Sequence, residues 1–137
     1  MKNVLAIALS IVVLSSCGNS ANNQHPSSKY EEKKASIADM EKDSPLKFLK
    51  VVGSHRKNIV NQSVIEGEVS NKATLTSYKN VVLQINFLDK EGGSIEKQKH
   101  TLDDVVKPGG TAEFKIKTKV KEATSLNIDI VEATPDK

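Results

Sequence analysis

Hydrophobic patterning divides the chain into three regimes. Residues 4–14 form an apolar run broken only by Ser10. Residues 18–28 contain no large apolar side chain, so nothing there offsets the entropy lost on ordering. Over 29–43, Tyr30, Ala35, Ile37 and Met40 fall near helical spacing among Glu and Lys. That spacing admits a short, frayed helix inside a flexible linker spanning 17–44. As a coil, the linker from Gly18 to Ser44 would reach roughly 26–31 Å. From Leu46 onward the period is two, the signature of strands.

Strands are expected over 46–52, continuing through 55–60, and over 62–70, 78–89, 94–102, 111–120 and 125–133. In the strongest of these, Val81, Leu83, Ile85 and Phe87 share one face. In the most regular, Ala112, Phe114, Ile116, Thr118 and Val120 alternate with Glu113, Lys115, Lys117 and Lys119. Ile65, Gly67 and Val69 lie opposite Val64, Glu66 and Glu68. Residues 94–102 carry Glu96, Lys97, Lys99 and His100, and such charge suits a sheet edge. Lys90-Glu91-Gly92-Gly93 and Lys107-Pro108-Gly109-Gly110 supply turns. Six or seven short strands of this kind predict a single all-β domain over 45–134, built as an antiparallel β-sandwich, with a small closed barrel as the alternative. The polar residues from Thr134, with 135–137 as the tail proper, are expected to fray.

The apolar run is too short to span a hydrocarbon core, which takes about 20 helical residues. It fits the h-region of a secretory signal, about 7–15 residues long, with Lys2 ahead of it. It ends in Leu14-Ser15-Ser16-Cys17: a branched apolar residue, two small residues, then the chain's only cysteine. This tetrad resembles the lipobox of bacterial lipoprotein signal peptides. The resemblance implies that residues 1–16 are removed and that Cys17 receives a diacylglycerol on sulfur and an N-acyl lipid on its new amino terminus. No other cofactor is expected. Acyl chains contribute about 0.8 kcal/mol per buried CH₂, so several hold where one would not. Gly18 stands where an Asp would retain a Gram-negative lipoprotein in the inner membrane. The resemblance therefore points to the outer membrane, with the leaflet open, or to the outer face of the membrane in a cell that has one.

Loss of residues 1–16 leaves 121 of 137 residues and removes only Lys2 among the charged ones, so the net charge falls from +3 to +2. That balance is too mild for a nucleic-acid surface. Five aromatic residues and no tryptophan supply little for stacking on bases.

Residues 64–116 resemble the FxLYD family of bacterial immunoglobulin-like domains. The resemblance rests on Glu66-Gly67-Glu68-Val69-Ser70-Asn71, on Tyr78-Lys79-Asn80-Val81-Val82-Leu83, on Phe87-Leu88-Asp89 followed by Gly92-Gly93, and on Pro108-Gly109-Gly110 with Phe114. The family's tyrosine between Leu88 and Asp89 is absent. The likeness implies an immunoglobulin-like sandwich found in secreted and membrane-attached proteins, and it brings no catalytic residue.

Candidate chemistry is sparse. His25, His55 and His100 have no second ligand at metal-binding spacing on their own elements. Glu31-Glu32 and Asp103-Asp104 are adjacent pairs that do not converge if extended. Asp89, Glu91, Asp103 and Asp104 lack the spacing of a calcium loop. No catalytic or metal site is expected, and no serine lies in a nucleophile elbow. Lys115, Lys117, Lys119 and Lys121 recur at period two on one solvent face, where they could meet anionic lipid headgroups or an acidic partner. The reading is a membrane-anchored, non-enzymatic interaction or structural module that engages another cell-envelope protein. The alternatives are an accessory to an envelope-polymer enzyme and a small-ligand-binding lipoprotein.

Overall fold

The structure is a computed structural model that describes residues 26–60, 62–120 and 122–137. An α-helix, α1 (Pro26–Asp43), and a single 3₁₀ turn (Pro45–Lys47) precede six strands. These are β1 (Leu49–Lys57), β2 (Ser63–Asn71), β3 (Ser77–Leu88), β4 (Ser94–Thr101), β5 (Thr111–Thr118) and β6 (Ser125–Asp136). They form two three-stranded antiparallel sheets, ordered β1-β2-β5 and β4-β3-β6. The chain changes sheet after β2, β4 and β5, which produces an immunoglobulin-like sandwich and not the barrel alternative.

Side-chain alternation builds the core. Tyr78, Val81, Leu83, Ile85 and Phe87 of β3 are all 0% exposed, and they share one cluster with Ile65, Val69, Ala112, Phe114 and Ile116 of the other sheet. Leu126, Ile128 and Ile130 of β6 are half-buried against it. Among the described residues every buried apolar side chain lies between Leu49 and Ala123. The chain from Gly18 onward therefore keeps the whole of that core.

Strict period two cannot bury both Tyr78 and Val81, which are three apart. The register with β6 shifts between Lys79 and Val82, and Asn80 takes φ +49. A short polar side chain tolerates this left-handed conformation where a branched one does not. Asn80→Gly should be near neutral, whereas Asn80→Val should cost about 1–2 kcal/mol. Urea midpoints check the pair, and equal midpoints would remove the backbone explanation. At the turn before β5, Gly109 adopts φ +68 after Pro108 while Gly110 N–H donates to the Lys107 carbonyl at 2.9 Å. A type II turn requires that positive φ at its third residue.

Three expectations are corrected. The region assigned to flexible linker contains an 18-residue helix beginning at Pro26, longer than the frayed segment allowed over 29–43. The first strand starts at Leu49, because Pro45 opens the 3₁₀ turn, and it ends at Lys57 instead of running to Val60. The C-terminal tail does not fray at 134: β6 pairs Thr134 with Lys79, Pro135 with Tyr78 and Asp136 with Ser77. Lys79 Nζ sits 2.7 Å from Asp136 Oδ1. β6 is an edge strand, where a proline is tolerated.

Candidate functional site

The outer face of the β1-β2-β5 sheet is graded in charge along its strands. Register sets Val52, Glu68 and Glu113 on one rung, Ser54, Glu66 and Lys115 on the next, then Arg56, Val64 and Lys117. Glu66 Oε1 is 2.9 Å from Arg56 Nη2 and 2.5 Å from Lys115 Nζ. The hydrogen bonds from Arg56 and then Lys115 pull the Glu66 carboxyl down to about 2. An open depression of about 570 Å³ runs along Glu66, Gly67, Glu68, Glu113, Phe114 and Lys115. Glu68 directly opposes Glu113, a like-charge pairing that is unfavourable across strands.

The expected lysine row is therefore only partly a free cationic stripe. Lys115 is engaged by Glu66, while Lys117 and Lys119 are exposed and form no ion pair among the described residues. Lys121 lies outside the described residues. The uncommitted positive charge gathers at the end of the sheet where β1 hands over to β2.

A second constellation, not anticipated from the sequence, locks α1 to the opposite end of the sandwich. Glu41 in its last turn is 1% exposed. Its carboxylate accepts from Thr74 N–H at 2.6 Å, Thr74 Oγ1 at 2.9 Å, Leu75 N–H at 3.0 Å and Thr76 N–H at 2.8 Å. Successive backbone N–H groups aimed at one point make an anion-binding nest. Burial works to raise the carboxyl's pKa, but the hydrogen bonds from Thr74, Leu75 and Thr76 outweigh it and hold the group below its ordinary value. The Tyr78 hydroxyl donates to the Glu41 carbonyl at 2.8 Å. Burial first, and the nearby Glu41 charge second, push Tyr78 up to about 12. Asn71 shapes the loop beneath: its Nδ2 donates to the Thr76 and Val106 carbonyls, and its Oδ1 accepts from Ala73 N–H.

The remaining polar candidates do not converge. His55 faces inward from β1 opposite Ile65, and its Nε2 is buried without a hydrogen-bond partner. Burial first, then the charge of Lys57, lowers its pKa. His100 lies on β4 opposite Leu83, and His25 lies outside the described residues. Asp89 Oδ1 is consumed within its own turn by the N–H groups of Glu91 and Gly93. Asp103 and Asp104 follow β4 at the other end of the molecule. Glu31 and Glu32 are exposed on α1, not on a strand. No group of three or more His, Cys, Asp or Glu among the described residues could hold a metal ion. No helix among them is long and apolar enough to cross a membrane. The Leu14-Ser15-Ser16-Cys17 tetrad, with the lipidation site Cys17, lies outside the described residues.

No protein-family model matches the chain, and no curated protein does. Among solved structures it is similar to the Salmonella enterica trimeric lipoprotein SadB, with 13% sequence identity and a TM-score of 0.45 over 80% of this chain and 75% of that one.

Proposed function

We propose that this chain is a lipid-anchored envelope protein whose β-sandwich is a non-enzymatic interaction module carried on a helical arm. The observation that carries the reading is Leu14-Ser15-Ser16-Cys17, placed where the apolar run ends. Cys17 bears the diacylglycerol and N-acyl chains, and the lack of a retaining Asp at position 18, where Gly18 stands, favours the outer membrane where the cell has two. Eight residues separate Cys17 from α1, and α1 at 1.5 Å per residue is about 27 Å long. The Glu41 latch sets the sandwich at a fixed angle to the base of that arm. An FxLYD-like module presented this way offers sheet edges and an outer face to another envelope protein.

Cys17→Ala should move the protein from the membrane fraction to the soluble one with its circular dichroism unchanged. Mass spectrometry of the wild type should find acylated Cys17 as the first residue. An unacylated chain that keeps its first sixteen residues as the mature form would defeat the anchor. Crosslinking in intact cells should then recover an envelope protein joined to the sandwich, and recovery of none would defeat the module.

A further inference from the structure

The turn between β1 and β2 exposes apolar surface that the fold does not use. Ile59 is fully exposed and Val60 is 67% exposed, although a turn at this place needs no apolar residue. The turn is also built to hold that display. Asn58 N–H donates to the Gln62 carbonyl at 3.0 Å. Asn58 Oδ1 accepts from Val60 N–H at 3.1 Å and Gln62 N–H at 2.8 Å, and its Nδ2 donates to Gln62 Oε1 at 3.1 Å. The polar groups close on one another, and the two apolar side chains are left pointing out.

Positive charge surrounds this tip. Arg56 sits on the last outward-facing rung of β1, with Lys117 two strands away on the same rung. Lys57 ends β1 beside the turn. Ser63 Oγ donates to the Val120 carbonyl at 2.9 Å, which brings Lys119 next to the start of β2. The acidic groups at this end are mostly engaged. Glu66 is held by Arg56 and Lys115. Asp89 caps its own turn, and Glu91 faces Lys90 at 3.6 Å. Glu91, Glu96 and Glu122 are exposed, with Glu96 Oε1 accepting from Gln98 Nε2 at 2.6 Å. The acidic rung of Glu68 and Glu113 lies farther back along the strands.

We infer that the β1–β2 turn is a bilayer-docking tip: Ile59 and Val60 enter the apolar boundary of a membrane while Lys117 and Lys119 meet its anionic headgroups. Buried apolar area and attraction to anionic lipid are the two contributions that set interfacial binding, and this end of the fold supplies both within one corner. Two exposed side chains supply far less area than the roughly 800 Å² per partner that a stable protein interface buries, whereas insertion of a small apolar tip among headgroups needs no more. Glu41 fixes α1 at the opposite end, beside Thr74–Thr76, so its latch does not cover the tip. The inference rests on the reading that the domain works beside a membrane. Its test uses the chain from Gly18 onward, which lacks Cys17, so failure of the anchor and failure of the tip are read separately.

The test is cosedimentation with vesicles of phosphatidylcholine mixed with phosphatidylglycerol, against phosphatidylcholine alone. Binding is expected to the anionic vesicles only, and to weaken as salt screens the headgroups. Ile59→Asp with Val60→Asp should reduce the partition at least about tenfold, and Lys117→Glu with Lys119→Glu should do so too. All four positions are exposed, so the fold should be retained. The chain contains no tryptophan, which makes Ile59→Trp a clean reporter whose emission should shift to the blue on anionic vesicles. No binding, or an unshifted tryptophan, overturns the inference. Binding that survives the tip pair but not the lysine pair assigns attachment to the lysines alone and overturns insertion.

Discussion

Replacing Glu41 with glutamine should loosen α1 from the sandwich and lower stability by about 2 kcal/mol near neutral pH, since a hydrogen bond to a charged group contributes about 1.5–3 kcal/mol. The carboxylate accepts four hydrogen bonds from Thr74, Leu75 and Thr76. Glutamine keeps the length but turns an NH₂ toward a nest of N–H donors, so at least one donor loses its acceptor. Hydrogen exchange should quicken at the Thr74, Leu75 and Thr76 amides and along α1, while the β3 core stays protected. The pH dependence has a definite sign. The folded carboxyl is held below its ordinary value, so the latch contributes fully above that ordinary value and is lost as pH falls through the folded one. Wild type and Glu41→Gln should therefore differ at neutral pH and converge in acid. A constant gap across that range would show that the charge is not what docks the helix.

The inward faces of β3 and β5 were legible because burial on one side imposes period two, and Val81, Leu83, Ile85 and Phe87 state it directly. The helix was much less so. Tyr30 and Met40 are exposed, at 65% and 59%, and the best-buried of the helix's described side chains is a glutamate. An apolar stripe is the usual sign of a docked helix, and here docking runs through a carboxylate whose partners sit 33–35 residues away. The outward lysines of β5 could be read from alternation, but the partner of Lys115 could not. Glu66 meets it only because β2 and β5 pair in one register, and that register joins segments far apart in sequence. The apolar tip was hidden differently. Ile59 and Val60 look like a continuing strand until Asn58 folds the chain back.

Gly67→Ala should be the most damaging of the single-methyl changes, at about 3 kcal/mol. Gly53, Gly67 and Phe114 lie in register across three strands. A methyl on Gly67 would collide with the Val52 carbonyl oxygen and would meet the Gly53 Cα and the Phe114 Cζ, each at 2.7 Å. Two of those three obstacles are backbone, so no rotamer change relieves them, and the strands must part. Gly53→Ala meets a different obstacle. Its closest neighbour is Ile128 Cδ1 at 2.7 Å, the far end of a half-buried side chain that can swing aside. That change should cost about 1 kcal/mol, and Ile128→Val, which deletes the obstructing methyl, should recover part of it. Shortening Phe114 should not rescue Gly67→Ala, because the clash with Val52 remains. Urea titration of the two alanine variants and the two double variants decides the matter. If Gly67→Ala proves as mild as Gly53→Ala, close approach of β1 to β2 is not what demands glycine there.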